Sequence, residues 1–126
     1  MSAAYVDSSV LVAIALGEVG SEALSQRLAG FGRLYSSNLL EAELRSALAR
    51  EGVPYSPRHV VQVRWIWTDR PLGPEMDTIL EAGYLKSADL WHLATAVSFA
   101  PDPREMTFVT LDERQRAVAA ELGFRV

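Results

Sequence analysis

The chain has 126 residues, 49% of them hydrophobic, no cysteine, and a net charge of −4 with a pI near 5.1. A chain of this length suits one domain, expected here over residues 1–126, with a core that needs no covalent staple. Disulfides and thiolate zinc sites are excluded, and the acidic balance has the wrong sign for a general nucleic-acid coat protein. Ala3 to Val6 reads as a short buried strand. Ser8 and Ser9 are candidate caps for a helix through about Leu16, closed near Gly17. Ser21 caps a second helix with Leu24 and Leu28 on one face, stopped by Gly30 and Gly32. Arg33 to Ser36 is a candidate second strand. Asn38 and Glu41 stand at capping-box spacing before the clearest helix, which carries Leu40, Leu44, Ala47 and Leu48 as a stripe and ends near Gly52. Glu43 lies at about 60° from the start of that stripe and so borders the core.

Ser56 and Pro57 open a further predicted helix, through about Thr68, bearing Val60, Val61, Trp65 and Trp67. A turn then leads to a helix from Glu75 to about Gly83. Ser87 caps the next, which runs to about Ala100 with a stripe of Leu90, Leu93, Ala94 and Val97. Met106 to Leu111 is a buried strand, Glu113 to Leu122 a helix, and Phe124 to Val126 a last short strand. Strands alternating with helices predict an α/β fold, a parallel sheet with helices on both faces. No basic segment precedes a long apolar run, and Val10 to Leu16 is too short to cross a bilayer. No membrane partner is expected, and the expected compartment is the cytoplasm.

Four acids occupy related places in this pattern. Asp7 follows the first strand and Asp112 follows the strand that ends at Leu111. Asp89 falls in the first turn of its helix and Glu43 in the second turn of its own. Sites in open parallel sheets form beyond the carboxyl ends of the strands, where the strand order switches. If both helix starts point there, the four carboxylates converge, and the helix dipoles favour negative charge at that place. Such a group repels itself unless a cation fills it, and hard divalent cations prefer oxygen ligands. Thr110 lies on the same side of its strand as Asp112, and Ser8 or Ser9 adds a hydroxyl beside Asp7. Each acid also has a plain reading. Asp7 and Asp112 serve as helix caps worth about 0.5–2 kcal/mol, Asp89 favours a helix dipole, and Glu43 faces water. Their joint placement favours the shared pocket.

These pieces resemble the PIN-domain nucleases, and among them the VapC-type toxins of bacterial and archaeal toxin–antitoxin pairs. The matching segments are Tyr5 to Leu11, Ser37 to Arg50 with Glu43-Leu44, Ala88 to Ala96, Phe108 to Asp112, and Ala119 to Phe124. The ordered set carries the likeness; no single segment does. The resemblance implies a PIN-like three-layer α/β/α sandwich with a short central parallel sheet. It implies RNA cleavage with Mg²⁺ or Mn²⁺ held by Asp7, Glu43, Asp89 and Asp112, with Thr110 as a hydroxyl companion and Ser9 as the small polar residue after the first aspartate. It also implies a cognate VapB-type antitoxin and a toxin homodimer. Trp91 departs from the family, which often has a smaller or aliphatic residue there. Two alternatives remain beside the toxin: a PIN-like binding module without catalysis, and a housekeeping PIN nuclease with no antitoxin.

Other residues stay open. Arg45 and Arg50 share a helix with Glu43 and face either substrate phosphate or solvent. Trp65 and Trp67 either stack bases or pack in the core or against a partner. His92 projects away from Leu90 and reads as a surface or dimer contact, as does His59. A receiver domain is disfavoured because the middle of the chain reads as helical and Lys86 precedes a helix. A haloacid dehalogenase phosphatase needs Asp-x-Asp after the first strand, where this chain has Asp7-Ser8-Ser9. No nucleophile elbow and no phosphate-loop motif occur.

Overall fold

Successive side chains of a strand point to opposite faces, so a strand covered on both sides divides its residues between two apolar layers. The computed structural model, which describes residues 2–126, shows this division in every strand. The strands are β1 (Ala3–Val6), β2 (Arg33–Ser37), β3 (Val63–Ile66) and β4 (Met106–Val109). They form one parallel sheet in the order β3-β2-β1-β4. Ala4, Val6, Leu34, Val63 and Val109 enter one layer; Tyr5, Ile66, Met106 and Phe108 enter the other.

Helices α1 (Ser8–Ala15), α2 (Ser21–Ala29) and α3 (Leu39–Arg50) cover the first face. The stripe of Leu40, Leu44 and Leu48 is fully buried there. Helices α4 (Gly73–Ala82), α5 (Ser87–Phe99) and α6 (Glu113–Glu121) cover the second face. The result is the expected PIN-like three-layer α/β/α sandwich. Gly83 ends α4 where a Cβ would stand 2.8 Å from a methyl of Val118, so α4 and α6 approach closely at that point. Among the described residues, no helix is long and apolar enough to cross a membrane.

The helix expected from Ser56 to Thr68 does not form. Only Pro57–Val60 turns, as a 3-10 segment closed by a capping box between Ser56 and His59. His59 is thus a local structural residue, half-buried against the Tyr55 ring, and not a free surface contact. The chain then straightens into β3, pairing Leu34 with Val63 and Ser37 with Ile66. The physical reason is non-local. A strand here supplies partners to the backbone of β2, and Val63, Trp65 and Ile66 are β-branched or aromatic residues suited to a pleated surface. The last predicted strand shrinks to one parallel bridge, Arg125 beside Thr107. Its hydrogen bonds with Phe108 (2.8 Å) and Met106 (3.0 Å) cover the outer edge of β4. Among the described residues, β3 pairs only with β2 and keeps a free edge.

Several helix caps also differ from expectation. Asp7, not Ser8 or Ser9, caps α1, and Lys86, not Ser87, precedes α5. Asn38 makes no side-chain cap, while Ser37 Oγ accepts the Leu39 N–H at 3.0 Å. Glu41 turns away from the cap to pair with Arg45.

Candidate functional site

The chain leaves β1 for β2 and β3 on one side, then returns as β4 on the other. This reversal opens a crevice beyond the carboxyl ends of β1 and β4. Asp7 enters it directly from β1. Its N–H donates to Val109 O (2.9 Å), which extends the pairing with β4 by one step. Its carboxylate accepts the Ser9 N–H at 3.1 Å and is nearly inaccessible, the residue being 3% exposed. Ser9 Oγ does not join that carboxylate; it accepts the Leu111 N–H at 3.2 Å and ties the start of α1 to the end of β4.

Gln115 escapes a search for charged groups, yet it organises this side of the crevice. It is fully buried. Its Nε2 donates to Asp89 O at 3.2 Å and, at 3.4 Å, to Asp7 Oδ1. Its Oε1 accepts the Thr110 hydroxyl at 2.6 Å. Asp112 caps α6 by accepting the Gln115 N–H at 2.7 Å. Asp112 and Gln115 therefore have the spacing of a capping box, the one sequence signal that marks the pair. The box is left half-formed. Thr110 Oγ1 takes the Asp112 N–H at 3.1 Å, and this frees the Gln115 amide to reach into the crevice. The Thr110 hydroxyl thus faces Gln115 and the Asp112 backbone, and acts on the acids through them.

His92 corrects the surface reading. It is fully buried, with Nδ1 2.6 Å from Tyr5 Oη and Nε2 2.5 Å from Glu43 Oε1. Nε2 also lies 3.9 Å from Asp7 Oδ1. The expected stripe of Leu90, Leu93, Ala94 and Val97 places His92 off the buried face of α5. Leu90 is only half-buried, whereas His92 to Ala96 are all buried, because α5 packs on more than one stripe. Proton roles in this chain of groups follow from donor counting. Burial pushes the Tyr5 phenol far above its usual range, so it keeps its proton. Its oxygen accepts the Ser37 N–H at 3.0 Å and lies 2.6 Å from His92 Nδ1. The Glu43 carboxylate can only accept, so His92 Nε2 carries a hydrogen and donates to it.

Asp89 lies in the first turn of α5 and is half-buried. Burial raises its carboxyl above the usual aspartate range, and the charges of Asp7 and Asp112 add to the rise. Glu43 adds a smaller push, which His92 opposes. The four acids therefore share one electrostatic field. Among the described residues none of them pairs with an arginine or lysine; only His92 stands beside Asp7 and Glu43. Arg116 approaches from α6 but pairs with Glu113 and donates to Thr110 O at 2.7 Å. All four acids offer hard oxygen donors. They are not drawn into a closed cage, for among the described residues no three or more His, Asp or Glu side chains stand at the spacing of a single ion.

The remaining candidates lie outside this crevice. Arg50 pairs with Glu51 at 3.5 Å, and Trp91 Nε1 donates to Ser37 Oγ at 3.2 Å. Trp65 packs into the α1–α3 layer. Trp67 is 71% exposed. The family model of the PIN domain matches the chain over residues 4–121. No curated protein and no solved structure matches it.

Proposed function

We propose that this chain, which belongs to the PIN domain family, is a ribonuclease that hydrolyses RNA phosphodiester bonds with Mg²⁺ or Mn²⁺ at Asp7, Glu43, Asp89 and Asp112. PIN domains are generally nucleases and typically use divalent metals. The reading rests on one observation above the others: Asp7 and Asp112 at strand ends and Glu43 and Asp89 at helix starts stand at one end of the sheet, and among the described residues none of them pairs with an arginine or lysine. The donor set fits a hard cation. Mg²⁺ commonly keeps several waters and takes only one or two carboxylates, so it does not require a closed cage of acids. When bound, the metal supplies an activated water and charge neutralisation for the scissile phosphate.

The protein's own contribution is to hold these acids still. Asp7 is fixed by Ser9, Gln115 and the β1–β4 pairing. Glu43 is fixed by the Nε2–H of His92, itself oriented by Tyr5. Supporting hydrogen bonds of this kind fix ligand orientation. On this reading the protein is the toxin of a VapC-type pair. It cuts RNA as a homodimer in the cytoplasm until a VapB-type antitoxin covers the crevice.

Purified protein should cut RNA in the presence of Mg²⁺ or Mn²⁺, stop when a chelator is added, and resume on re-addition. Cleavage that continues at full rate in excess chelator would remove metal from the mechanism. Metal bound to the native state also stabilises it, by about 2.7 kcal/mol at a concentration 100 times the dissociation constant. The melting temperature should therefore climb through a Mn²⁺ titration by several degrees, about 4–8 °C per kcal/mol at most for a small domain. Asp89→Asn should melt higher than wild type without metal, because one repelling charge is gone, and should respond less to Mn²⁺. An Asp89→Asn response equal to wild type would take Asp89 out of the site. Co-expression with the product of an adjacent small gene should give a stable complex with suppressed cleavage. Cleavage without any such inhibitor would leave the housekeeping nuclease as the better account.

A further inference from the structure

The register of β3 has a consequence on the far side of α3. Ile66 pairs with Ser37, so the next residue, Trp67, leaves the sheet beside Asn38 at the start of α3. A cleft of about 320 Å³ opens there. Trp65 and Trp67 line one wall, and Asn38, Glu41 and Arg45 the other. The Trp67 side chain is largely exposed, whereas Trp65 is held in the layer beneath. The polar wall is held in place. Arg45 Nε donates to Glu41 Oε2 at 3.1 Å, and its guanidinium lies 3.8 Å from the centre of the Tyr55 ring. Glu41 Oε1 and the terminal nitrogens of Arg45 make no hydrogen bond among the described residues, and the Asn38 side chain makes no cap.

An exposed indole that shares a cleft with a carboxylate acceptor and a guanidinium donor has the chemistry to hold a nucleobase by its face and read it by its edge. Guanine alone among the four RNA bases offers two adjacent N–H donors beside a carbonyl. A carboxylate accepts such a pair in parallel, and an adjacent guanidinium donates to the carbonyl. The Glu41–Arg45 pair is neutral overall, which suits an uncharged base better than a phosphate. The position fits as well. Trp67 follows β3 and Asp7 follows β1, at the same end of the sheet and two strands apart, about 10 Å. A single RNA strand crossing the strand ends would meet both.

We infer that the cleft between β3 and α3 binds one unpaired guanine of the RNA beside the bond that is cut. The assignment rests on the ribonuclease reading and adds a base preference to it. The test uses the Asp7→Asn protein with chelator present, so that slow cleavage does not interfere with the binding measurement. Fluorescein-labelled single-stranded oligouridine is compared with the same oligomer carrying one guanine, by anisotropy. The guanine oligomer should bind more tightly. Trp67→Ala should weaken its binding about tenfold, and Trp67→Phe should restore most of the loss. Glu41→Gln should erase the difference between the two oligomers and leave oligouridine binding as it was. Three results would overturn the assignment: unchanged affinity in Trp67→Ala, a guanine preference that survives Glu41→Gln, or a Trp67→Ala effect confined to self-association in sedimentation. The two readings fail differently. RNA that is cut by wild type and equally by Trp67→Ala removes only the cleft, whereas a wild type that neither binds nor cuts RNA removes the ribonuclease reading with it.

Discussion

Asp7→Asn should lower metal-dependent RNA cleavage by about 10²–10³-fold while the protein still folds. The size follows from the role proposed for this carboxylate. Metal placement at a reacting phosphate contributes several kcal/mol of charge stabilisation, and each 1.36 kcal/mol is about tenfold in rate. Folding should survive because asparagine is nearly isosteric and remains a good helix cap, so the Ser9 N–H keeps its acceptor. The new amide hydrogens would face Gln115 Nε2, which now donates to Asp7 Oδ1. That conflict costs some stability, about 1–3 kcal/mol for a buried donor left unpaired. Single-turnover cleavage and thermal melts on matched preparations separate the two effects. A variant that cuts at the wild-type rate would show that the reaction does not use Asp7. A variant that unfolds would leave Asp112→Asn as the arbiter, since Asp112 is exposed and its replacement keeps the cap on α6.

The layers of the fold are legible in the strands themselves. Ala3 to Val6 and Met106 to Val109 are short apolar runs bounded by turn-forming residues, and the helices between them carry clear stripes. What pattern alone does not resolve is a short apolar run whose state depends on a distant partner. The stretch from Val60 to Trp67 satisfies a helix template nearly as well as a strand template. The exposed backbone of β2 decides between them. This matters for function, because Trp67 reaches the cleft beside α3 only if β3 is a strand that ends at Ile66.

At the candidate site, the elements that carry Asp7, Glu43, Asp89 and Asp112 are readable from strand ends and helix starts. The groups that orient them are not. Gln115 carries no charge, and its capping-box spacing with Asp112 points first to a structural role. His92 looks peripheral on a helical wheel centred on Leu90, because one stripe cannot describe a helix buried by the sheet on one side and by α4 and α6 on others. Tyr5 reads simply as an apolar strand residue, stacked on Phe108, until its hydroxyl is seen to lie between Ser37 and His92.

The buried chain from Ser37 N–H through Tyr5 and His92 to Glu43 should behave as one unit, and its loss should be the most destabilising change near the crevice. His92→Ala removes a fully buried ring and strands the Tyr5 hydroxyl at the same time. A cavity of that kind together with an unpaired polar group costs about 2–5 kcal/mol. His92→Gln keeps a donor within reach of Glu43 but offers Tyr5 no well-placed partner, so it should lose less than His92→Ala. Tyr5→Phe deletes the hydroxyl and leaves both the Ser37 N–H and His92 Nδ1 without their partner, at about 1–3 kcal/mol. Both milder variants should reduce the cleavage rate more than they weaken RNA binding, because they act on the orientation of Glu43 and not on contacts with substrate. The decisive measurement is the double variant Tyr5→Phe with His92→Gln. Groups in one hydrogen-bond network couple by about 0.5–3 kcal/mol, so the double loss should fall short of the sum of the single losses. Strictly additive losses in denaturant melts would mean that Tyr5 and His92 stabilise the protein separately and that no oriented chain reaches Glu43.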